Sequence, residues 1–166
     1  ITTGAGAIFG ATGGVMEAAI RTVYEVVNKE ELKNLDFTDL RGLKGIKEAT
    51  VTLGGKEVKV AVCHTLSKAK ILAEQVKNGT SPYAFIEVMA CPGGCIGGGG
   101  QPYGTVNNIR NKRIKATYTV DKDMPIRKSH ENPAIKAIYD DYLEKPLGHR
   151  SHHLLHTAYK PRSAGK

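Results

Sequence analysis

Two cysteines stand close together in Cys91-Pro92-Gly93-Gly94-Cys95, and Ile96-Gly97-Gly98-Gly99-Gly100-Gln101-Pro102 follows at once. Thiolates at that spacing, on a loop leaving a strand, can converge on one metal centre. Cys-x₃-Cys is less typical of zinc sites than Cys-x₂-Cys, and the chain holds only three cysteines, so no second pair completes a tetrahedron. Soft thiolates suit an iron–sulfur cluster equally well. Glycines without Cβ let backbone approach a bulky inorganic group, and their N–H groups can hydrogen-bond its anionic atoms. The plainer alternative is a pair of buried thiols beside a flexible loop.

Other candidates are weaker. The glycine run is no phosphate loop, because no Gly-Lys-Ser/Thr follows it. Gly4, Gly6 and Gly10 imitate a dinucleotide fingerprint but lack a preceding strand and a suitably placed acidic residue. Cys63 reads as a small buried hydrophobe, and neighbouring His64 points to the opposite face of a strand, which argues against a dyad. His149, His152, His153 and His156 recur at helical spacing and can share one face. With no carboxylate among them, a docking surface is expected rather than a metal site. The basic segment Arg110–Lys115 lacks a nucleic-acid motif, so a solvated or partner-facing helix is expected and no nucleic acid.

The elements that must carry these residues mix strands and helices. Apolar residues at 15, 16, 19, 20, 23, 26 and 27 predict an amphipathic helix over 14–28, introduced by Gly10, Gly13 and Gly14. Ala49–Leu53 and Lys56–Cys63 read as a hairpin turning at Gly54-Gly55. Ser67–Lys77 reads as a helix capped at Thr65 or Ser67 and stopped by Gly79. Tyr83–Ala90 reads as a strand running into Cys91, and Val106–Tyr118 and Pro133–Leu143 as helices. Ile1–Ile8 is weakly patterned. An α/β body with a helical C-terminal extension is expected.

With 166 residues and 40% apolar content the chain is long enough for a real core. No apolar run approaches the ~20 residues of a membrane span. Sixteen of the 19 glycines precede residue 101, whereas residues 101–166 carry a net charge of +7 out of the total of +8. Few cysteines and no secretory or lipidation motif favour a reducing, cytoplasmic setting. The start at Ile1, without methionine, suggests processing, excision or a missing upstream part.

Met89-Ala90-Cys91-Pro92-Gly93-Gly94-Cys95-Ile96-Gly97-Gly98-Gly99-Gly100-Gln101-Pro102 resembles the last cysteine signature of iron-only (FeFe-type) hydrogenases. Gly6 to Ala19, Arg41 to Ile46, and Ser151 to Tyr159 resemble further segments of the same family, the last in its small-subunit-like tail. The resemblance implies a strand–helix lobe of the catalytic domain over 1–102 and a small-subunit-like helical extension over 103–166. It implies an H-cluster, a 4Fe-4S cubane bridged to a di-iron unit carrying carbon monoxide and cyanide, which interconverts dihydrogen with protons and electrons.

By motif match, Cys91 is a cubane ligand and Cys95 the thiolate bridging cubane to di-iron unit. Met89 lies against the di-iron unit, Phe9 and Gly10 line its pocket, and Gly93 and Gly94 belong to the cofactor-binding loop. The family's Cys-Cys-Pro and Pro-Cys signatures do not occur here, so only half of the cubane ligands are present and this chain alone is expected to be inactive. The implied partners are the N-terminal part of the hydrogenase with its ferredoxin-like clusters and an electron carrier, either ferredoxin or NAD(P)-linked subunits. Related iron–sulfur assembly proteins keep a similar cysteine–glycine segment. They usually depart from the Ala11–Glu17 run and lack the histidine-rich tail, so hydrogenase is favoured.

Overall fold

A computed structural model describes residues 1–160. Its elements are α1 (Gly4–Ile8), α2 (Gly14–Asn28), β1 (Ile46–Leu53), β2 (Lys56–His64), α3 (Leu66–Lys77), β3 (Tyr83–Met89), α4 (Asn107–Asp123), α5 (Pro133–Ile138) and α6 (His149–Leu155). The mixed α/β architecture matches the expectation. Packing separates Thr2–Ser129 from a second unit, formed by His130 onward together with Ile1. The packing boundary therefore falls later than the composition change near residue 102, because α4 belongs with the first unit.

In that first unit the sheet order is β1-β2-β3. Strands β1 and β2 pair antiparallel up to Leu53↔Lys56. Gly54 and Gly55 both adopt left-handed φ, +57° and +76°, as the two-residue turn requires. Parallel pairing of β2 with β3 demands a crossover, and α3 supplies it. Gly79, at φ +68°, ends α3. Thr65 stands at the start of α3, but its hydroxyl meets Ser67 rather than a helix amide.

Three small cores hold the unit together. Met16, Ile20, Leu40, Val51, Val60 and Val62 fill one face of the sheet. Ala61, Cys63 and Leu72 fill the other. Ala5, Ile8, Ala11, Ala18, Ile114 and Tyr118 join α1, α2 and α4. Ile1–Ile8 thus contains a short helix that its Gly/Ala composition conceals, with Thr3 accepting from the Gly6 amide as its cap.

Helix α2 covers the expected residues but buries a different face. Val23, Val26 and Val27 are exposed, whereas Glu17 and Arg21 are wholly buried. Burial is tolerated because the charges are paired. Arg21 bonds Glu17 at 2.7 Å and both Asp121 oxygens at 2.7 and 2.8 Å. Arg41 reaches Glu17 at 2.6 Å and Asp36 at 2.8 Å, and Arg127 reaches Asp121 at 2.6 Å and Asp36 at 3.0 Å. Burial alone would raise the carboxyl pKa values of Asp36 and Asp121. Hydrogen bonds and charge from the arginines outweigh it and hold both below the usual range. Although the three carboxylates cluster closely enough to hold a cation, arginines occupy that role.

The second unit is described by itself. Asn132 caps α5 by accepting from the Ala134 amide, Pro133 opens the helix, and the Asn132 side-chain amide donates to the Ile1 carbonyl at 3.1 Å. The expected single helix over 133–143 changes pitch at Tyr139, where a wider π-type turn runs to Leu143. Helix α6 and His156 just after it hold the histidines as two pairs: His149 with His153, ring centroids 6.5 Å apart, and His152 with His156 at 4.3 Å. No helix among the described residues is long and apolar enough to cross a membrane.

Candidate metal centre

Strand β3 delivers the cysteine loop. It ends at Met89, whose carbonyl accepts from the Thr65 amide at 2.8 Å. The chain then turns tightly: Gly94 N donates to Cys91 O, Gly97 N to Gly94 O, and Gly98 N to Cys95 O, at 3.0–3.1 Å. Cys91 is half-buried and Cys95 exposed, whereas Gly93 and Gly94 between them are buried. The loop therefore turns its backbone inward and offers its thiols at the surface of this unit.

A second loop, between α1 and α2, forms the other wall. Thr12 N donates to Gly93 O at 2.9 Å, and Ile96 N donates to Gly10 O at 3.1 Å. These two bonds bring residues more than 80 positions apart side by side, so Phe9 and Gly10 stand next to Cys91–Cys95. Phe9 itself is about half exposed, at 47%. Gly94 sits where the walls meet, with φ +93°, and a Cβ there would lie 2.8 Å from both Gly10 O and the Met89 sulfur. A Cβ on Gly98 would stand 3.2 Å from Cys91 Sγ. The glycines are thus the condition for two backbones, a thioether and a thiol to share one place. Helix α4 braces the far side through Arg113, which donates to Ile96 O at 2.7 Å.

Two buried ionisable residues behind the walls escape sequence reasoning. Lys47 Nζ donates to Thr12 O at 3.1 Å and to Gly42 O at 2.9 Å. Glu87 accepts from Gly13 N and Met16 N, both at 2.7 Å, at the start of α2. Burial pushes the Lys47 pKa down to about 8, against the nearby charge of Glu87. Burial raises the Glu87 pKa, although the two amides and Lys47 oppose the shift. A carboxylate in the apolar run of β3 is the one signal that could have revealed Glu87; Lys47, next to Glu48, looks like any surface lysine.

Cys63 lies away from this loop. It is wholly buried in β2 against Leu72, and burial raises its thiol pKa. His64 faces elsewhere, with Nε2 against the Leu43 carbonyl at 3.1 Å. His149, His152, His153 and His156 lie in the other unit.

The fold and site describe a mixed α/β unit that presents two thiols at the surface of a glycine cradle, and sequence comparison gives its class. Residues 1–99 match the C-terminal domain of the iron-only hydrogenase large subunit, and residues 107–162 match the iron hydrogenase small subunit. The chain belongs to the iron-only hydrogenase family. It is 52% identical to the NADP-reducing hydrogenase subunit HndD of Solidesulfovibrio fructosivorans, across 97% of this chain and 28% of that protein. The structure superposes on [FeFe]-hydrogenase HydA1 from Chlamydomonas reinhardtii, variant E144A, with TM-score 0.71 and 40% identity, across 91% of this chain and 45% of that one. Protein NAR1 of Arabidopsis thaliana is more distant, 30% identical across 93% of this chain and 33% of its own length. The chain spans less than a third of the length of the first curated relatives it matches.

The residues present suit the thiolate end of an iron–sulfur cluster. Two cysteines face outward, buried glycines leave no Cβ between walls, and Thr12 Oγ1 in the wall is buried without a hydrogen-bond partner.

Proposed function

We propose that this chain forms the C-terminal part of the H-cluster pocket of an iron-only hydrogenase that reversibly oxidises dihydrogen to protons and electrons. The observation that carries this reading is the pair of interloop bonds, Thr12 N to Gly93 O and Ile96 N to Gly10 O, which join the two segments that resemble the family's pocket. Cys91 would hold the cubane, and Cys95 would be the thiolate that holds cubane and di-iron unit together. When bound, that cofactor supplies the redox chemistry of dihydrogen. The chain's own residues would hold and enclose it: Met89 would lie against the di-iron unit, Phe9 and Gly10 would line the pocket, and Gly93 and Gly94 would keep backbone close without steric conflict. A dry, shaped wall of this kind tunes a cluster's potential and keeps competing reactions out.

The remaining cubane ligands come from an upstream part of the hydrogenase, which also carries ferredoxin-like clusters. Electrons are exchanged with ferredoxin or an NAD(P)-linked subunit, in the cytoplasm of an anaerobic bacterium. Residues 1–102 form the lobe of the catalytic domain and 103–166 the small-subunit-like extension.

Infrared spectroscopy of the intact, anaerobically prepared protein tests this reading. Carbon monoxide and cyanide bands, lost together with hydrogen evolution in Cys95→Ser, are expected. Full hydrogen evolution by Cys95→Ser would sink it. A second reading, an iron–sulfur assembly or interaction protein, is favoured by the 30% identity to NAR1 across nearly the whole chain. A protein that holds iron and sulfide, shows none of those bands and evolves no hydrogen would support it.

A further inference from the structure

One peptide group in the wall of the cysteine loop is held from both ends by buried side chains of opposite charge. The carbonyl of Thr12 and the N–H of Gly13 belong to the same peptide plane. Lys47 Nζ donates to that carbonyl at 3.1 Å, and Glu87 Oε1 accepts from that N–H at 2.7 Å. Both side chains come from the sheet, Lys47 from β1 and Glu87 from β3. Only 2% of Lys47 and 6% of Glu87 is exposed.

The arrangement answers a specific problem. Gly13 stands at φ +93°, a conformation that glycine enters as readily as its mirror image. A glycine following Thr12 therefore makes a flip of the Thr12–Gly13 plane cheap. Reversing the plane would turn a carbonyl toward Glu87 and an N–H toward Lys47, so both contacts would become repulsive in a low-dielectric interior. The charges select one orientation that the backbone alone would not. The next peptide upstream contains Thr12 N, which donates to Gly93 O inside the cysteine loop. Glu87 also holds Met16 N at 2.7 Å, tying the same wall to the first turn of α2.

We infer that Lys47 and Glu87 are positioning residues that lock the Thr12–Gly13 peptide and, through Thr12 and Gly10, set where the Cys91–Cys95 loop lies. Neither residue is a ligand. The consequence for a bound cluster rests on the function proposed above; the consequence for the loop does not.

Lys47→Met removes the donor without leaving a charge, and Glu87→Gln keeps the shape while replacing one acceptor by a donor. Hydrogen–deuterium exchange on the intact protein reads the loop, and iron release to a chelator reads the cluster. In each variant, protection of the Thr12 and Ile96 amides should fall roughly tenfold or more, while Ala61 and Val62 in the central strand stay unchanged. Iron should leave roughly 10–100-fold faster, in the range seen when outer-shell partners of metal ligands are lost. Equal loss of protection at all four amides would mean a merely global role and would overturn the inference. So would unchanged protection at Thr12 and Ile96, or local loss with iron held as firmly as in the parent. Should Lys47→Met not fold, Glu87→Gln decides by the same criteria. A parent protein that binds no iron would refute the proposed function, and the exchange measurement would still decide whether the clamp exists.

Discussion

Arg21 and Asp121, 100 residues apart in sequence, face each other as a two-bond pair at 2.7 and 2.8 Å with no exposed side-chain surface on either. The pair fastens α4 to α2 and, with α4, the Arg113 contact that braces the cysteine loop.

Breaking that pair from one side leaves a buried charge with too few partners. Asp121→Asn should destabilise the protein by about 3–5 kcal/mol in urea unfolding, as is usual for an orphaned buried ion. Replacing Arg21 by Met and Asp121 by Leu together should cost less than the two single changes combined, because neither charge is then stranded.

Glycines in the cysteine loop should differ sharply in their tolerance. Gly94→Ala forces a Cβ to 2.8 Å from Gly10 O and the Met89 sulfur at φ +93°, which should cost about 2 kcal/mol or more and reduce iron content. Gly99→Ala meets nothing within 4 Å at an ordinary φ and should leave both thermal stability and iron content unchanged. Calorimetry and iron analysis on the two variants check the contrast.

The three cysteines should separate in an iron assay. Cys91→Ser and Cys95→Ser should each lower the iron bound by the intact protein, because both thiols reach the surface of the cradle. Cys63→Ala should keep the parent's iron and lose only about 1–2 kcal/mol, as a trimmed core side chain does.

Stability should depend on pH at both ends of the range. The folded-state pKa of Lys47 is lowered from 10.5 to about 8. Between those values the unfolded chain binds more protons, so this group's contribution rises with pH across that window. Lys47→Met should remove the rise in a series of unfolding curves between pH 8 and 10.5. Asp36 and Asp121 contribute with the same sign at the acid end of the range. Their folded pKa values lie below the ordinary 3.8, so their stabilisation is present above that value and is lost as pH falls through the folded ones. Asp121→Asn should flatten the acid limb.

Periodicity and turn chemistry made much of this fold legible. Helix α2, the Gly54-Gly55 hairpin, α3 with its Gly79 stop, and β3 leading to Cys91 all lie within a few residues of their predicted bounds. Contact between the Phe9–Gly10 and Cys91–Cys95 segments was not legible from spacing, since two backbone bonds create it. Apolar patterning also assigns charges to water, and here it fails for Glu17, Arg21, Lys47 and Glu87. Their burial depends on partners dozens of residues away, which no local window contains. The exposed valines of α2 reverse the same rule, because the ion network claims the inner face.

The parallel β2–β3 pairing also carries a consequence in time. Hairpin β1–β2 closes across two residues and forms in about 1–10 μs, whereas contacts spanning a large stretch of chain come slowly. The cysteine loop waits for a crossover through α3, for the wall formed by the loop between α1 and α2, and for the brace from α4. On a ribosome, α4 emerges after both cysteines. Cys91 and Cys95 therefore leave the ribosome before Arg113, and for that interval the two thiols stand on a loop without its brace.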